Sequence, residues 1–181
     1  MNGIAIRAAE AADLPAIARI YARHVQEGLA SFEETPPDLG EMTRRWQAIV
    51  AAGLPYLVAS ADQGDGQGQI AGYAYAGPYR PRSAYRFTVE DSIYLDPAFA
   101  GRGIGRALLG RVLEACEAAG KRQVIAVIGD SANAASIGLH RALGFEMTGT
   151  FHAIGFKFGR WVDSVLMQRA LGKGADTAPT N

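Results

Sequence analysis

One cysteine and three histidines are all that this 181-residue chain offers as soft or imidazole metal ligands. They are too few and too scattered for a zinc site, so no metal is expected. A single cysteine also forbids a disulfide within the chain. Cys116 falls in an alanine-rich helical stretch, where it reads as a small buried hydrophobe and not as a nucleophile. Net charge is missing too. The 18 lysines and arginines balance 18 aspartates and glutamates, which removes the general electrostatic case for nucleic acid or an anionic membrane as partner. No apolar run reaches the length of a bilayer span, and the first residues lack the basic and apolar regions of a signal peptide. A cytoplasmic protein is expected. No internal repeat is visible. The length suits one domain, residues 1–171, followed by a small polar tail, 172–181, expected to be disordered.

Periodicity divides that domain into alternating elements. Ile4 to Arg7 reads as a short strand. Asp13 is placed to cap a helix running to about Glu27, ended by Gly28 as a residue just past the helix, with Pro15 tolerated in its first turn. A Ser31–Pro37 loop leads to a second helix, about Asp38 to Ala52. Strands follow at Tyr56–Ser60 and Gln69–Ala76, joined by a flexible hairpin connection, Asp62–Gly68. After a loop dense in arginine and aromatic residues, Gly77 to Phe87, come a central strand and a helix to about Ala119. Gln123–Ile128 is apolar enough for a strand covered on both faces. A helix from about Asn133 to Leu143 and strands Phe145–Phe151 and Trp161–Arg169 complete the domain, with a basic, glycine-containing segment between the last two strands. The order is β-α-α-β-β-β-α-β-α-β-β.

The chemistry concentrates around the central strand. From Phe87 to Leu95, Val89, Asp91 and Ile93 share a mostly apolar face, while Thr88, Glu90, Ser92 and Tyr94 share the other. A glutamate in mid-sheet is uncommon. It reads either as a base in a partly closed cleft or as a surface carboxylate on an edge strand. Asp96-Pro97 ends the strand, and Gly101-Arg102-Gly103-Ile104-Gly105-Arg106 opens the next helix. Alternate glycines let a ligand approach the backbone, and the free N–H groups of a helix start suit phosphate oxygens. The Gly-Lys-Ser/Thr ending of a P-loop is absent, and the glycine spacing does not fit G-x-G-x-x-G. Further on, Asn133, Ser136 and His140 fall on one helical face. His140 reads equally well as a proton donor near neutral pH or as a half-buried helix histidine. Arg80, Arg82 and Arg86 form a local cationic cluster in an otherwise neutral chain, which suits a carboxylate or phosphinate, although a solvated basic loop gives the same pattern.

The segment Ala100–Gly105 resembles the acetyl-coenzyme A loop of the GNAT superfamily of N-acetyltransferases, Q/R-x-x-G-x-G/A, with Ala100 in place of the usual first residue. AGPYRPRSAYRFTVEDSIYL, SFEETPP, NAASIGLH and GFKFGRWVDSVLMQ together resemble the phosphinothricin and methionine sulfoximine acetyltransferases, from about Ile4 to Arg169. The resemblance implies an α/β (mixed α+β) GNAT fold, a mixed, mostly antiparallel sheet flanked by about four helices. It implies acetyl-CoA as cofactor and a small-molecule amine as substrate, acetylated by direct attack in a ternary complex, and it implies a homodimer. Carried onto this sequence, Glu90 is the base, and His140 stands where a tyrosine often protonates the departing thiolate. Gly101, Arg102, Gly103, Ile104, Gly105 and Arg106 would hold the pyrophosphate, and Ile93, Tyr94 and Leu95 the pantetheine arm. Asn133 and Ser136 would join them, with the oxyanion donor near Leu95 at a bulge. Arg80, Arg82, Tyr85, Arg86 and Thr88 would line the substrate side, with Phe32 as a lid. Lys157, Arg160 and Trp161 belong to the shared C-terminal pattern, as dimer packing or structure at least as much as substrate contact. The cationic loop argues against polyamines and aminoglycosides. A non-catalytic acyl-CoA sensor would use the same cradle and be told apart by a turnover assay.

Overall fold

The computed structural model describes residues 3–61 and 68–179. Of the expected hairpin connection, Asp62–Gly68, residues 62–67 lie outside the described residues. The elements are β1 (Ile4–Ala8), α1 (Leu14–Glu27), α2 (Leu39–Ala51), β2 (Tyr56–Ala61), β3 (Gln69–Pro78), β4 (Thr88–Leu95), α3 (Ile104–Ala118), β5 (Gln123–Gly129), α4 (Ala134–Ala142), β6 (Glu146–Lys157) and β7 (Arg160–Ala170). Their order is the one that periodicity gave. The seven strands form one sheet, β1-β2-β3-β4-β5-β7-β6. All neighbours are antiparallel except β4 and β5.

The two faces of β4 belong to two different layers. Ile93 and Leu95 pack against Gly105 at the start of α3, where an added Cβ would lie 3.4 Å from Leu95 Cδ1. On the other face Tyr94 meets Tyr21 of α1 edge-on, with ring centroids 5.0 Å apart. Tyr94 stacks in turn on Tyr73, which joins Tyr56 and Tyr75 in an aromatic layer under the first two helices. The core is closed by α3, whose Leu108, Leu109, Val112 and Cys116 are fully buried.

Four local expectations need correction. Asp13 precedes α1 but does not cap it through its side chain. Its carboxylate turns back to Arg7, at 2.6 and 2.8 Å, and to the Glu10 N–H, because a bidentate guanidinium outcompetes one peptide donor. Gly28 ends α1 with φ −130°, an extended and not a left-handed conformation. The basic segment between the last two strands is mostly strand. β6 continues to Lys157, and a two-residue turn, Phe158-Gly159, joins it to β7 with both φ positive. The exposed, apolar outer side of this hairpin conceals it from alternation patterns. Finally, β3 and β4 pair without a register shift from Gly72–Leu95 to Pro78–Val89, so no bulge marks Leu95. After β7, residues of the expected tail form turns, with Gly174 N–H donating to Leu171 and Asp176 N–H to Lys173.

Candidate active site

β4 and β5 part company in mid-sheet. Their parallel pairing runs from Thr88–Gln123 to Asp91–Ala126 and stops. Beyond it β4 stays paired with β3 as far as Leu95, and β5 stays paired with β7 as far as Gly129. Each strand is anchored on its outer side while the gap between them widens. A wedge results, lined by Ser92, Ile93 and Tyr94 on one side and by Val127, Ile128 and Gly129 on the other. Ala30, from the loop after α1, also borders it. The facing backbone groups inside the wedge have no strand partner across it, so they suit a ligand with amides of its own.

At the fork of the wedge sit Asp91 and His140, 5% and 2% exposed. His140 Nε2 lies 3.0 Å from Asp91 Oδ2, and Nδ1 lies 2.8 Å from the Ser136 carbonyl. Burial opposes charging the imidazole, but the Asp91 carboxylate wins and holds its pKa above the usual histidine value. The Phe145 ring closes the site edge-on, 4.9 Å from the imidazole centroid. Asn133 uses its Oδ1 to accept from Ser136 N–H and so caps α4, while Ser136 Oγ lies 3.4 Å from His140 Nδ1.

Glu90 stands on the opposite face of β4, between Gly77 of β3 and Ile125 of β5 in register. A Cβ added at Gly77 would meet nothing within 4 Å, so space is open beside the carboxylate. Burial raises the pKa of Glu90, Asp91 raises it further, and Arg80 pulls it back. Tyr75, opposite Ser92 in register, lies near Glu90 on the same face.

The glycine loop divides by role. Gly101 and Gly103 have φ of +73° and +76°, which only glycine adopts without strain. Gly103 starts α3 with no side-chain cap, so the first-turn N–H groups are free for an anion. Gly105 is buried and serves close packing, and the Ile104 side chain is in the core. Arg102 lies over the Phe99 ring, and Arg106 is exposed.

Arg80, Arg82, Tyr85, Arg86 and Thr88 come together around one hollow with Lys121, but Glu90 is not part of its lining. The loop is braced by its own aromatics: Tyr79 against Tyr85, Arg80 over Tyr79 and Arg86 over Phe87. Glu33 is paired with Arg45 at 2.7 Å and not with this loop. Phe32 lies against Gly129, the last residue of β5, and Gly155, near the end of β6. A Cβ at Gly155 would be 2.4 Å from its ring and one at Gly129 3.1 Å.

Three further residues shape the site that the sequence reading left without a role there. Asp91 was visible as a carboxylate on an apolar strand face, which demands a partner. His24 Nε2 lies 2.8 Å from the Leu95 carbonyl at the mouth of the wedge. Ser31 is bonded to Tyr21. Lys157 takes a structural place inside the chain. It is 2% exposed and donates to the carbonyls of Gly28 (3.0 Å) and Ser31 (2.7 Å), fixing the loop that borders the wedge. No sequence signal links residues so far apart.

A splayed parallel pair above an uncapped helix start is a specific arrangement, and comparison places it. The acetyltransferase (GNAT) family profile matches residues 17–145. The chain belongs to the GNAT family of acetyltransferases. Within the family it is 56% identical over 167 residues to phosphinothricin N-acetyltransferase of Alcaligenes faecalis, covering 92% of this chain and 82% of that protein. It is 44% identical over 163 residues to the L-methionine sulfoximine/L-methionine sulfone acetyltransferase of Pseudomonas paraeruginosa, covering 90% and 92%. The GNAT phosphinothricin acetyltransferase of Sinorhizobium meliloti, solved in complex with AcCoA, superposes with a TM-score of 0.93 at 51% identity, over 99% of this chain and 94% of that one.

Proposed function

We propose that this GNAT acetyltransferase moves an acetyl group from acetyl-CoA to the amine of a small anionic amino acid analogue of the phosphinothricin or methionine sulfoximine type. The observation that carries the reading is the wedge between β4 and β5, with Glu90 on one face of β4 and the Asp91–His140 pair at its fork. The residues present fit the donor. Gly103 to Arg106 offer uncapped N–H groups to a pyrophosphate, and the unpaired edges of Ile93–Leu95 and Val127–Gly129 offer partners to pantetheine amides. Asn133 and Ser136 border the same wedge. Acetyl-CoA supplies a thioester whose carbonyl is open to attack by an amine.

Glu90 then removes the proton that an amine carries near neutral pH, directly or through water. Its desolvated position suits it, because a base matched to that task needs a pKa above the ordinary carboxylate range. His140 holds the proton needed on the thiolate side. Attack is direct, since Cys116 is fully buried and its thiol is pushed up to about 12 by that burial. Arg80, Arg82 and Arg86 receive the anionic end of the substrate, with Tyr85 and Thr88 beside them, and Phe32 bounds the site from the other side.

A homodimer is supported by the exposed strip of Met147, Phe151, Ile154, Phe156, Phe158 and Trp161 on β6, β7 and their turn, each more than 45% exposed. A cytoplasmic location is supported by the donor and by the free thiol of Cys116. Balanced charge gives no reason to add a nucleic acid or membrane partner.

The test is release of free thiol from acetyl-CoA against a panel of amines. Turnover with phosphinothricin, methionine sulfoximine or methionine sulfone, and none with spermidine or a basic peptide, is the expected result. Turnover confined to spermidine or the peptide would overturn the substrate assignment.

A further inference from the structure

His140 is surrounded by acceptors. Nδ1 faces a backbone carbonyl at 2.8 Å, which can only accept, so Nδ1 carries a hydrogen. Nε2 faces a carboxylate oxygen at 3.0 Å, so a second proton must lie between ring and carboxylate. Asp91 meanwhile has little else to stabilise its charge. Its Oδ1 is buried and has no hydrogen-bond partner among the described residues. Of the other charged groups, Glu90 interacts with Asp91 across the strand but not with the imidazole directly. From α3 the nearby titratable group is Cys116, neutral because of its burial. β5 contributes Ala126 and Ile128, the chain after α4 contributes Phe145, and Glu90 leaves β4 on the opposite face. A lone buried carboxylate is costly, and so is a lone buried imidazolium, but each offsets the other here.

We propose that Asp91 is a positioning residue that keeps His140 as a doubly protonated imidazolium at the fork of the wedge. The pair thus stores one transferable proton in the resting enzyme. This rests on the function proposed above only for what the proton is for. When it is given up, the Nε2–H bond breaks, its electron pair stays on Nε2, and the departing thiolate gains an S–H bond. Solvent recharges the ring afterwards. The arrangement accounts for a histidine where both ring nitrogens are occupied: Ser136 fixes the ring plane, and Asp91 fixes the charge.

The protonation state can be read in the free enzyme by ¹⁵N NMR of histidine-labelled protein between pH 6 and 9. His140→Gln identifies the His140 signals among the three histidines. The expected result is two protonated ring nitrogens at pH 7 in the wild type, and a neutral single tautomer in Asp91→Asn. A neutral ring in the wild type at pH 7 overturns the proposal, as does a ring that stays charged in Asp91→Asn. Should that variant not fold, the wild-type titration decides alone. In turnover, Asp91→Asn is expected to lose about 100-fold in kcat, the scale of one acid–base group. The double variant Asp91→Asn/His140→Gln is expected to lose no more than His140→Gln, and fully additive losses would separate the two residues. Silence of every variant and of the wild type in turnover would reject the proposed function and leave the NMR result standing.

Discussion

At Glu90, burial and one exposed guanidinium pull in opposite directions. Burial and Asp91 favour the neutral acid, Arg80 favours the carboxylate, and burial is the largest influence. The proposed role of Glu90 as base requires the carboxylate, so kcat/KM should climb with pH through a value above the ordinary glutamate range. Arg80→Ala removes the cation that holds this pKa down, and the acidic limb of the profile should therefore move to higher pH. An unmoved limb would show that Arg80 does not reach Glu90. The same shift has a consequence for stability. A carboxyl whose folded pKa is raised binds its proton more tightly when folded, so its ionisation weakens the fold as pH rises through that pKa. Glu90→Gln should accordingly melt at a higher temperature than the wild type at pH 8 and show less advantage at pH 4. Much of this was legible in sequence, since a glutamate in mid-strand beside a glycine loop stands out. Its neighbour was harder to interpret. Asp91 alternates with Glu90 and so falls on the core face, where only the fold supplies His140 as its partner, from a helix 49 residues away.

Among elements, the loop after α1 is held from a distance. Lys157, at the end of β6, donates to Gly28 and Ser31 and so orders the segment that carries Ala30 and Phe32 to the wedge. Burial pulls its pKa down, with Glu34 and Glu33 opposing. Lys157→Met leaves two carbonyls without their donor and should cost about 2 kcal/mol or more in stability, measured by denaturant unfolding. Hydrogen exchange should rise at residues 28–33 first, and exchange that rises evenly across the sheet would argue against a local clamp. Two glycines nearby make opposite predictions. A Cβ at Gly155 meets the Phe32 ring, which can swing aside, whereas one at Gly129 would lie 2.0 Å from the Leu29 carbonyl oxygen. Gly155→Ala should raise the substrate KM with stability nearly unchanged, while Gly129→Ala should destabilise by about 1–3 kcal/mol through backbone displacement. Element order and type were readable because hydrophobic period separates helices from strands throughout. What was not readable depends on distant partners: the Arg7 fork that draws Asp13 away from its helix, the Lys157 clamp, and the unbroken register at Leu95.

Across the whole molecule, the outer hairpin of the sheet presents apolar side chains to solvent, with Trp161 65% and Ile154 58% exposed. β6 is the sheet's end strand, and an uncovered apolar edge of this length invites a partner. The proposed dimer should fall to a monomer in Trp161→Glu by light scattering, and a mass that does not differ from the wild type's would remove this face from the proposed interface. The internal architecture has a simpler logic. Each half of the sheet is complete on its own outer side, and the proposed function places the reaction where the halves separate, with Glu90 on one face of β4 as its base and the Asp91–His140 pair on the other. The measurement that tests this most directly compares turnover with acetyl-CoA affinity in Glu90→Gln. The account predicts a loss of about 100-fold or more in kcat with the dissociation constant for acetyl-CoA little changed. Equal loss of both, or undiminished turnover, would contradict Glu90 as the base.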